Sequence, residues 1–154
     1  MLKVGARAPD FELASQAGET VTLDGLLANG ELILYFYPAD FTPVCTREAC
    51  AFRDQHEDLS QAGVQIVGVS PQSAGSHERF TSTFDLPFPL LSDRNKKVIR
   101  AYGADGPFGI GVRRVTYLIG TDKTIVNVAH AEFSVGSHMD LVKEILNSRQ
   151  AAGK

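Results

Sequence analysis

The sequence contains no tryptophan, only two cysteines (Cys45 and Cys50), and no apolar run approaching the roughly 20 residues that cross a bilayer. Two cysteines are too few to staple a fold of 154 residues, which is long enough to bury a core of its own. They therefore call for a chemical explanation. The four histidines, His56, His77, His130 and His138, are scattered without ligand spacing, so no structural zinc set is expected and no metal is assigned. Fifteen basic residues against eighteen acidic ones leave a net charge of −3. That balance gives no basic field for holding nucleic acid. The opening from Met1 to Pro9 has no apolar h-region, and the expectation is a soluble, cytoplasmic chain with no membrane partner. Repeats, low-complexity tracts and linker-like stretches are also missing. Residues 1–149 are read as a single domain, and 150–154 as a tail expected to fray.

What is present is an alternation of strand and helix patterns. Leu32 to Tyr37 is a continuous apolar and aromatic run that stops at Pro38, as expected of a strand buried on both faces. Val64 to Ser70 is a second such run. Val115 to Ile119 and Thr124 to Ala129, joined by Gly120 to Lys123, read as a hairpin. Phe11 to Leu13 with Thr20 to Leu23 alternates weakly and is a candidate edge hairpin. Between the first two strands, Cys45, Ala49, Phe52, His56 and Leu59 recur at the spacing of one helical stripe, predicting a helix over 43–62 that Gly63 stops. Further helical patterns cover about 74–84, 93–101 and 137–148. Strand, helix, strand with a long crossover predicts parallel pairing of the first two strands. The fold class is α/β, with a central mixed β-sheet flanked by helices.

The chemistry concentrates at the start of the first long helix. Thr42 followed by Pro43 reads as an N-cap and first helical residue, which places Cys45 in the first turn. There the unpaired N–H groups and the positive end of the helix dipole favour a thiolate over a thiol. A thiolate that attacks a substrate also needs donors aimed at the atoms where charge develops, and Thr42 and an arginine are candidates. The second cysteine argues against a merely structural Cys45. Residues five apart in an intact α-helix have Cα atoms about 8–9 Å apart. A disulfide tolerates no more than about 7 Å. Cys45 and Cys50 can therefore join only if the first turns unwind. This predicts a helical reduced state and a locally unwound oxidised one.

Pro38-Ala-Asp-Phe-Thr42-Pro-Val-Cys45 matches a Pro-x-x-x-Thr-x-x-Cys motif, and with it the chain resembles the peroxiredoxins, in particular the bacterioferritin comigratory protein or PrxQ branch. The likeness extends from Val4 to Phe11 through Tyr35 to Pro38 and on to Arg114 to Ile119. It implies a thioredoxin-like fold and a thiol-dependent peroxidase acting on hydrogen peroxide and organic hydroperoxides. By this resemblance Cys45 is the peroxidatic cysteine, Thr42 orients the peroxide, Pro38 shields the thiolate, Arg114 is the family arginine with Arg113 as its competitor, and Cys50 is the resolving cysteine. The resemblance further implies thioredoxin, or glutaredoxin, as reductant, no metal or organic cofactor, and a monomer. A nearby resolving thiol also competes with overoxidation of the sulfenic acid.

Other features have plainer readings. The glycine-rich Gly106 to Gly111 is not followed by a helix and does not match a phosphate cradle; it is read as a flexible loop delivering Arg114. Arg47 and Arg53 read as solvated helix charges, and His56 as a boundary residue too far from Cys45 to act as its base. Phe41, Phe84, Phe88 and Phe108 are either an apolar entrance or core. Two competing functions remain at this level. One is a protein thiol-disulfide oxidoreductase, disfavoured because Cys-x-x-Cys is absent, and the other is a non-catalytic, chaperone-like binding module on the same fold.

Overall fold

The fold is described from a computed structural model, which describes residues 1–152. In chain order the elements are β1 (Glu12–Ser15), β2 (Thr20–Thr22), α1 (Leu23–Leu27), β3 (Glu31–Phe36), α2 (Pro43–Gln61), β4 (Val64–Ser70), α3 (Ala74–Phe84), β5 (Leu90–Ser92), α4 (Lys97–Ala101), β6 (Val115–Ile119), β7 (Ile125–His130) and α5 (Val135–Ala152). Seven strands form one sheet in the order β2-β1-β5-β4-β3-β6-β7. Its middle is parallel, β3 to β4 and β4 to β5, and antiparallel pairs complete both sides. The sheet is therefore mixed, with the expected parallel pair at its centre and β1 and β2 as an edge hairpin.

Alternation along β3 divides the interior in two, because successive side chains point to opposite faces. Leu32, Leu34 and Phe36 pack with Leu23, Tyr102 and Tyr117 on one side. Ile33 and Tyr35, followed by Tyr37, pack on the other with Cys45, Ala49, Phe52 and Leu59 of α2 and with Phe80, Leu141 and Val142. The predicted stripe on α2 is therefore its buried face, with His56 half-buried at its margin. Tyr35 stacks on Phe52 with ring centroids 4.6 Å apart, fixing the helix over the strand that precedes it. The helix ends at Gly63, whose φ of +78° suits glycine. Gly30 lies against it so closely that a Cβ there would sit 2.4 Å from the Gly63 carbonyl oxygen.

Some elements differ from expectation. The helix expected over 93–101 begins only at Lys97, because Lys96 adopts φ +61° and Asp93 stays outside, its carboxylate accepting the Ile99 N–H at 2.7 Å. Strand β5 is three residues long, too short to show alternation, and α1 is a five-residue helix capped by Thr22 through the Gly25 N–H. Helix α5 starts at Val135 and continues to Ala152, through the first three residues of the tail placed at 150–154; residues 153 and 154 lie outside the described residues. No helix is long and apolar enough to cross a membrane among the described residues.

Candidate active site

The chain leaves β3 at Phe36 and turns through Tyr37 to Thr42 before α2 begins at Pro43. Pro38 is half-buried in this turn. Thr42 has extended backbone angles and occupies the N-cap position, yet its hydroxyl caps nothing. It donates instead to the Ala39 carbonyl at 3.0 Å, a correction to the expected cap: the loop itself offers the acceptor, and the hydroxyl turns back to it. Cys45 follows as the third residue of the helix, 1% exposed. An anion at this place faces the N–H groups of the first turn, which lack intrahelical acceptors.

The arginine comes from across the sheet. Antiparallel pairing of Phe36 with Val115 brings the residue before β6 level with the start of the turn. Arg114 is buried there, and its Nη1 donates to Cys45 Sγ at 2.7 Å. Arg113 points elsewhere: its Nε donates to the Asp105 carbonyl at 2.9 Å. The loop before it is a closed turn, with a 3₁₀ segment at Pro107–Gly109, a bridge between Asp105 and Val112, and the Lys96 ammonium donating to the Gly109 carbonyl. The backbone N–H of Arg114 donates to the Glu132 carboxylate. Cys50 lies one and a half turns further along α2, partly exposed and reduced, with the helix intact across both thiols.

Four buried polar groups around this centre, Glu48, His138, Asp40 and His77, were not singled out from sequence. Glu48, three residues after Cys45 and between the two cysteines, is 1% exposed, and its Oε1 has no partner among the described residues. Burial pushes its carboxyl up to about 8, against the opposing pull of Arg114. His138 lies 3.5 Å away, within ion-pair range, but burial also lowers this imidazole, so the contact joins two uncharged groups at neutral pH. Its Nε2 donates to the Ala131 carbonyl, which leaves Nδ1 to accept from the Thr116 hydroxyl at 2.7 Å.

The third is Asp40, inside the motif. It accepts from the Tyr37 hydroxyl at 2.6 Å, from His77 Nδ1 at 2.7 Å and from the Ser76 hydroxyl at 2.7 Å. Burial acts to raise its carboxyl, but the bonds from His77, Tyr37 and Ser76 outweigh this and hold it below the usual range. Next to it Phe41 adopts φ +64°, a left-handed conformation that costs a non-glycine residue about 1–3 kcal/mol and must be held by its surroundings. Its ring packs on Phe80 at 5.1 Å and on Phe84 at 6.2 Å, both on α3. The four phenylalanines of the sequence reading thus separate: Phe41 and Phe84 join at the turn, Phe88 is core, and Phe108 stands fully exposed. Arg47 is exposed, whereas Arg53 donates to the Phe84 carbonyl and ties α2 to α3. Among the described residues no group of three or more histidine, cysteine, aspartate or glutamate side chains could hold a metal.

A sequence signal existed for two of these. Asp40 lies within the quoted motif, and Glu48 is a carboxylate at i+3 from Cys45, facing the same side of the helix. For His77 and His138 only the fold supplies the partners.

Comparison with known proteins covers nearly the whole chain. The model of the AhpC/TSA family matches residues 4–128. Peroxiredoxin Q of Arabidopsis thaliana chloroplasts is 38% identical over 145 residues, covering 94% of this chain and 67% of that protein. The chain thus spans about two thirds of the length of the chloroplastic relatives it matches. Among solved structures, the peroxidoxin BcpB of Mycobacterium tuberculosis superposes with a TM-score of 0.89 at 35% identity, over 96% of this chain and 98% of that one. The bacterioferritin comigratory protein of Xanthomonas campestris, studied for alkyl peroxide reduction, superposes with a TM-score of 0.82 at 31% identity, over 100% and 99%.

Proposed function

The chain belongs to the AhpC/TSA family as a thiol-dependent peroxidase of the peroxiredoxin type, and on that premise we propose that Cys45 is its peroxidatic cysteine and Cys50 its resolving one. The observation that carries this reading is the 2.7 Å contact of Arg114 Nη1 with Cys45 Sγ in the first turn of α2. The guanidinium and the helix N-terminus favour the thiolate, and the same donors suit the charge that develops on a peroxide oxygen. The Thr42 hydroxyl donates to Ala39 and keeps its lone pairs available to accept from a hydroperoxide O–H. Pro38, half-buried in the same turn, is assigned by the resemblance to shield the sulfur from water.

In the proposed cycle the Cys45 thiolate attacks the terminal oxygen of a hydroperoxide: the S–O bond forms, the O–O bond breaks, and alcohol or water leaves with a proton. The α2 start then unwinds, the Cys50 thiol attacks the Cys45 sulfenic acid, and the S–S bond forms with loss of water. A dithiol of the thioredoxin type, with glutaredoxin as a second source, returns two electrons and two protons. Cys45 and Cys50 belong to one chain, which fits a monomer as the working unit. Organic hydroperoxides join hydrogen peroxide as substrates, in line with the alkyl peroxide reduction of the Xanthomonas campestris relative.

Stopped-flow oxidation of the reduced protein by hydrogen peroxide and by cumene hydroperoxide tests the assignment. Rapid oxidation should vanish in Cys45→Ser, while Cys50→Ser should still react but form no internal disulfide. A wild type no faster than a free thiol would sink the reading.

A further inference from the structure

We propose that His77, assisted by Ser76, is a positioning residue for the peroxide reaction: from α3 it grips Asp40 and so fixes the Pro38–Thr42 turn against the start of α2, where Cys45 meets Arg114. The assignment rests on the cysteine chemistry proposed above and deepens it.

The turn has little to hold it locally. Its one side-chain bond back to its own backbone is that of the Thr42 hydroxyl to Ala39, and Phe41 sits in a left-handed conformation that an unanchored chain would leave. The anchors lie outside it. Asp40, with its side chain fully buried, takes hydrogen bonds from His77 and Ser76 on α3 and from Tyr37 at the end of β3. The Phe41 ring rests on Phe80 and Phe84, which belong to the same helix.

His77 is in turn fixed at its far side. Its Nε2 lies 3.1 Å from the Leu91 carbonyl and 3.5 Å from the Ser70 hydroxyl. Nδ1 faces the Asp40 carboxylate, held in its ionised form, and donates to it. The imidazole is therefore a two-ended strut between the backbone of β5 and the carboxylate of the turn. Asp40 is flanked by Ala39, which accepts from Thr42, and by Phe41. A displacement of Asp40 is passed directly to the hydroxyl that meets the peroxide. A shift of about 1 Å in such a group is enough to cost one to two powers of ten in rate.

The test uses the two ends of the strut. Asparagine at position 77 places an amide N–H near the site of Nδ1 and keeps the bond to Asp40; glutamine reaches nearer the site of Nε2 and keeps the contact with Leu91. Single-turnover oxidation by hydrogen peroxide is measured beside alkylation of Cys45 by iodoacetamide, which needs the thiolate but activates no O–O bond. His77→Asn is expected within about threefold of wild type in both reactions, while His77→Gln loses about tenfold or more in peroxide rate with alkylation changed by less than about threefold. Ser76→Ala, at a half-buried site, should lose about threefold in peroxide rate alone and serves if the His77 variants do not fold. Equal peroxide rates in the Asn and Gln variants, or losses matched by alkylation, would overturn the proposal, as would a Ser76→Ala rate equal to wild type. The wild-type trace separates the two readings. A wild type no faster than a free thiol removes the peroxidase chemistry and this role with it, whereas a fast wild type with indistinguishable variants removes this role only.

Discussion

The two faces of the central sheet bury similar apolar side chains but treat their polar groups in opposite ways. On the face of Leu32, Leu34 and Phe36, the Tyr102 hydroxyl donates to the Pro9 carbonyl and the Tyr117 hydroxyl to the Tyr102 carbonyl, each at 2.6 Å. On the face of Ile33, Tyr35 and Tyr37 lie Cys45, Glu48, Asp40, His77 and His138, with Tyr35 OH and Glu48 Oε1 lacking partners. Buried orphans of this kind cost about 1–3 kcal/mol each. One face is therefore organised for stability, and the other gives up part of it to carry reactive groups.

The sharpest way to break the comparison is to exchange what each face is asked to do. Phe36→Ala empties a fully buried site on the stable face and should cost about 3–5 kcal/mol of unfolding free energy, read by denaturant titration, with the peroxide rate of the folded protein little changed. Arg114→Ala should do the converse. Losing a donor aimed at developing charge typically costs 10²–10³ in rate, roughly 3–4 kcal/mol, and that loss should appear in stopped-flow oxidation with a much smaller change in stability. A peroxide rate in Arg114→Ala equal to wild type would leave the guanidinium a packing group.

Glu48 gives the next effect, and its sign follows from its environment. Arg114, Glu132, His138 and Tyr35 face it, and burial dominates, so its carboxyl ionises near 8 in place and near 4.5 when exposed. The helical state is thus favoured fully below about 4.5 and loses that advantage as pH rises toward about 8. Amide protection over residues 46–52 in the reduced protein, corrected for intrinsic exchange, should fall across this range, and the slope should flatten in Glu48→Gln. Parallel slopes in the two proteins would remove Glu48 as the cause. Because Glu48 lies between Cys45 and Cys50, the same titration would favour the unwinding that their disulfide requires.

Much of this was legible in the sequence, and the exceptions have a common origin. Strands β3, β4 and β6 and helices α2 and α3 follow from runs and stripes long enough to carry a period. The motif and the helix start placed Cys45, and the resemblance chose Arg114, the member that reaches Cys45, from two adjacent arginines that spacing alone could not separate. In the fold the pairing of Phe36 with Val115 decides between Arg113 and Arg114. Local rules failed where the pattern does not show which partner a group takes: the Thr42 hydroxyl takes the Ala39 carbonyl of its own turn rather than capping, and the β5 segment is too short to show its alternation. The buried histidines were unreadable for the same reason, since Asp40, Leu91, Thr116 and Ala131 reach them from distant parts of the chain.

The smallest effect sharpens the comparison most, because the same one-atom change is made on both faces. Tyr117→Phe removes a hydroxyl that donates to Tyr102 and accepts from the Leu2 N–H at 3.0 Å, stranding both groups, and should destabilise by about 1 kcal/mol. Tyr35→Phe removes a hydroxyl that burial keeps un-ionised and that has no partner among the described residues. Nothing is stranded, the ring stack with Tyr37 and Phe52 is kept, and the variant should match wild type or gain up to about 1 kcal/mol. Thermal unfolding of the two variants under identical buffer gives opposite signs if the faces differ as described. Two losses of equal size would mean that Tyr35 is satisfied in solution, and that the reactive face is as fully paired as the other.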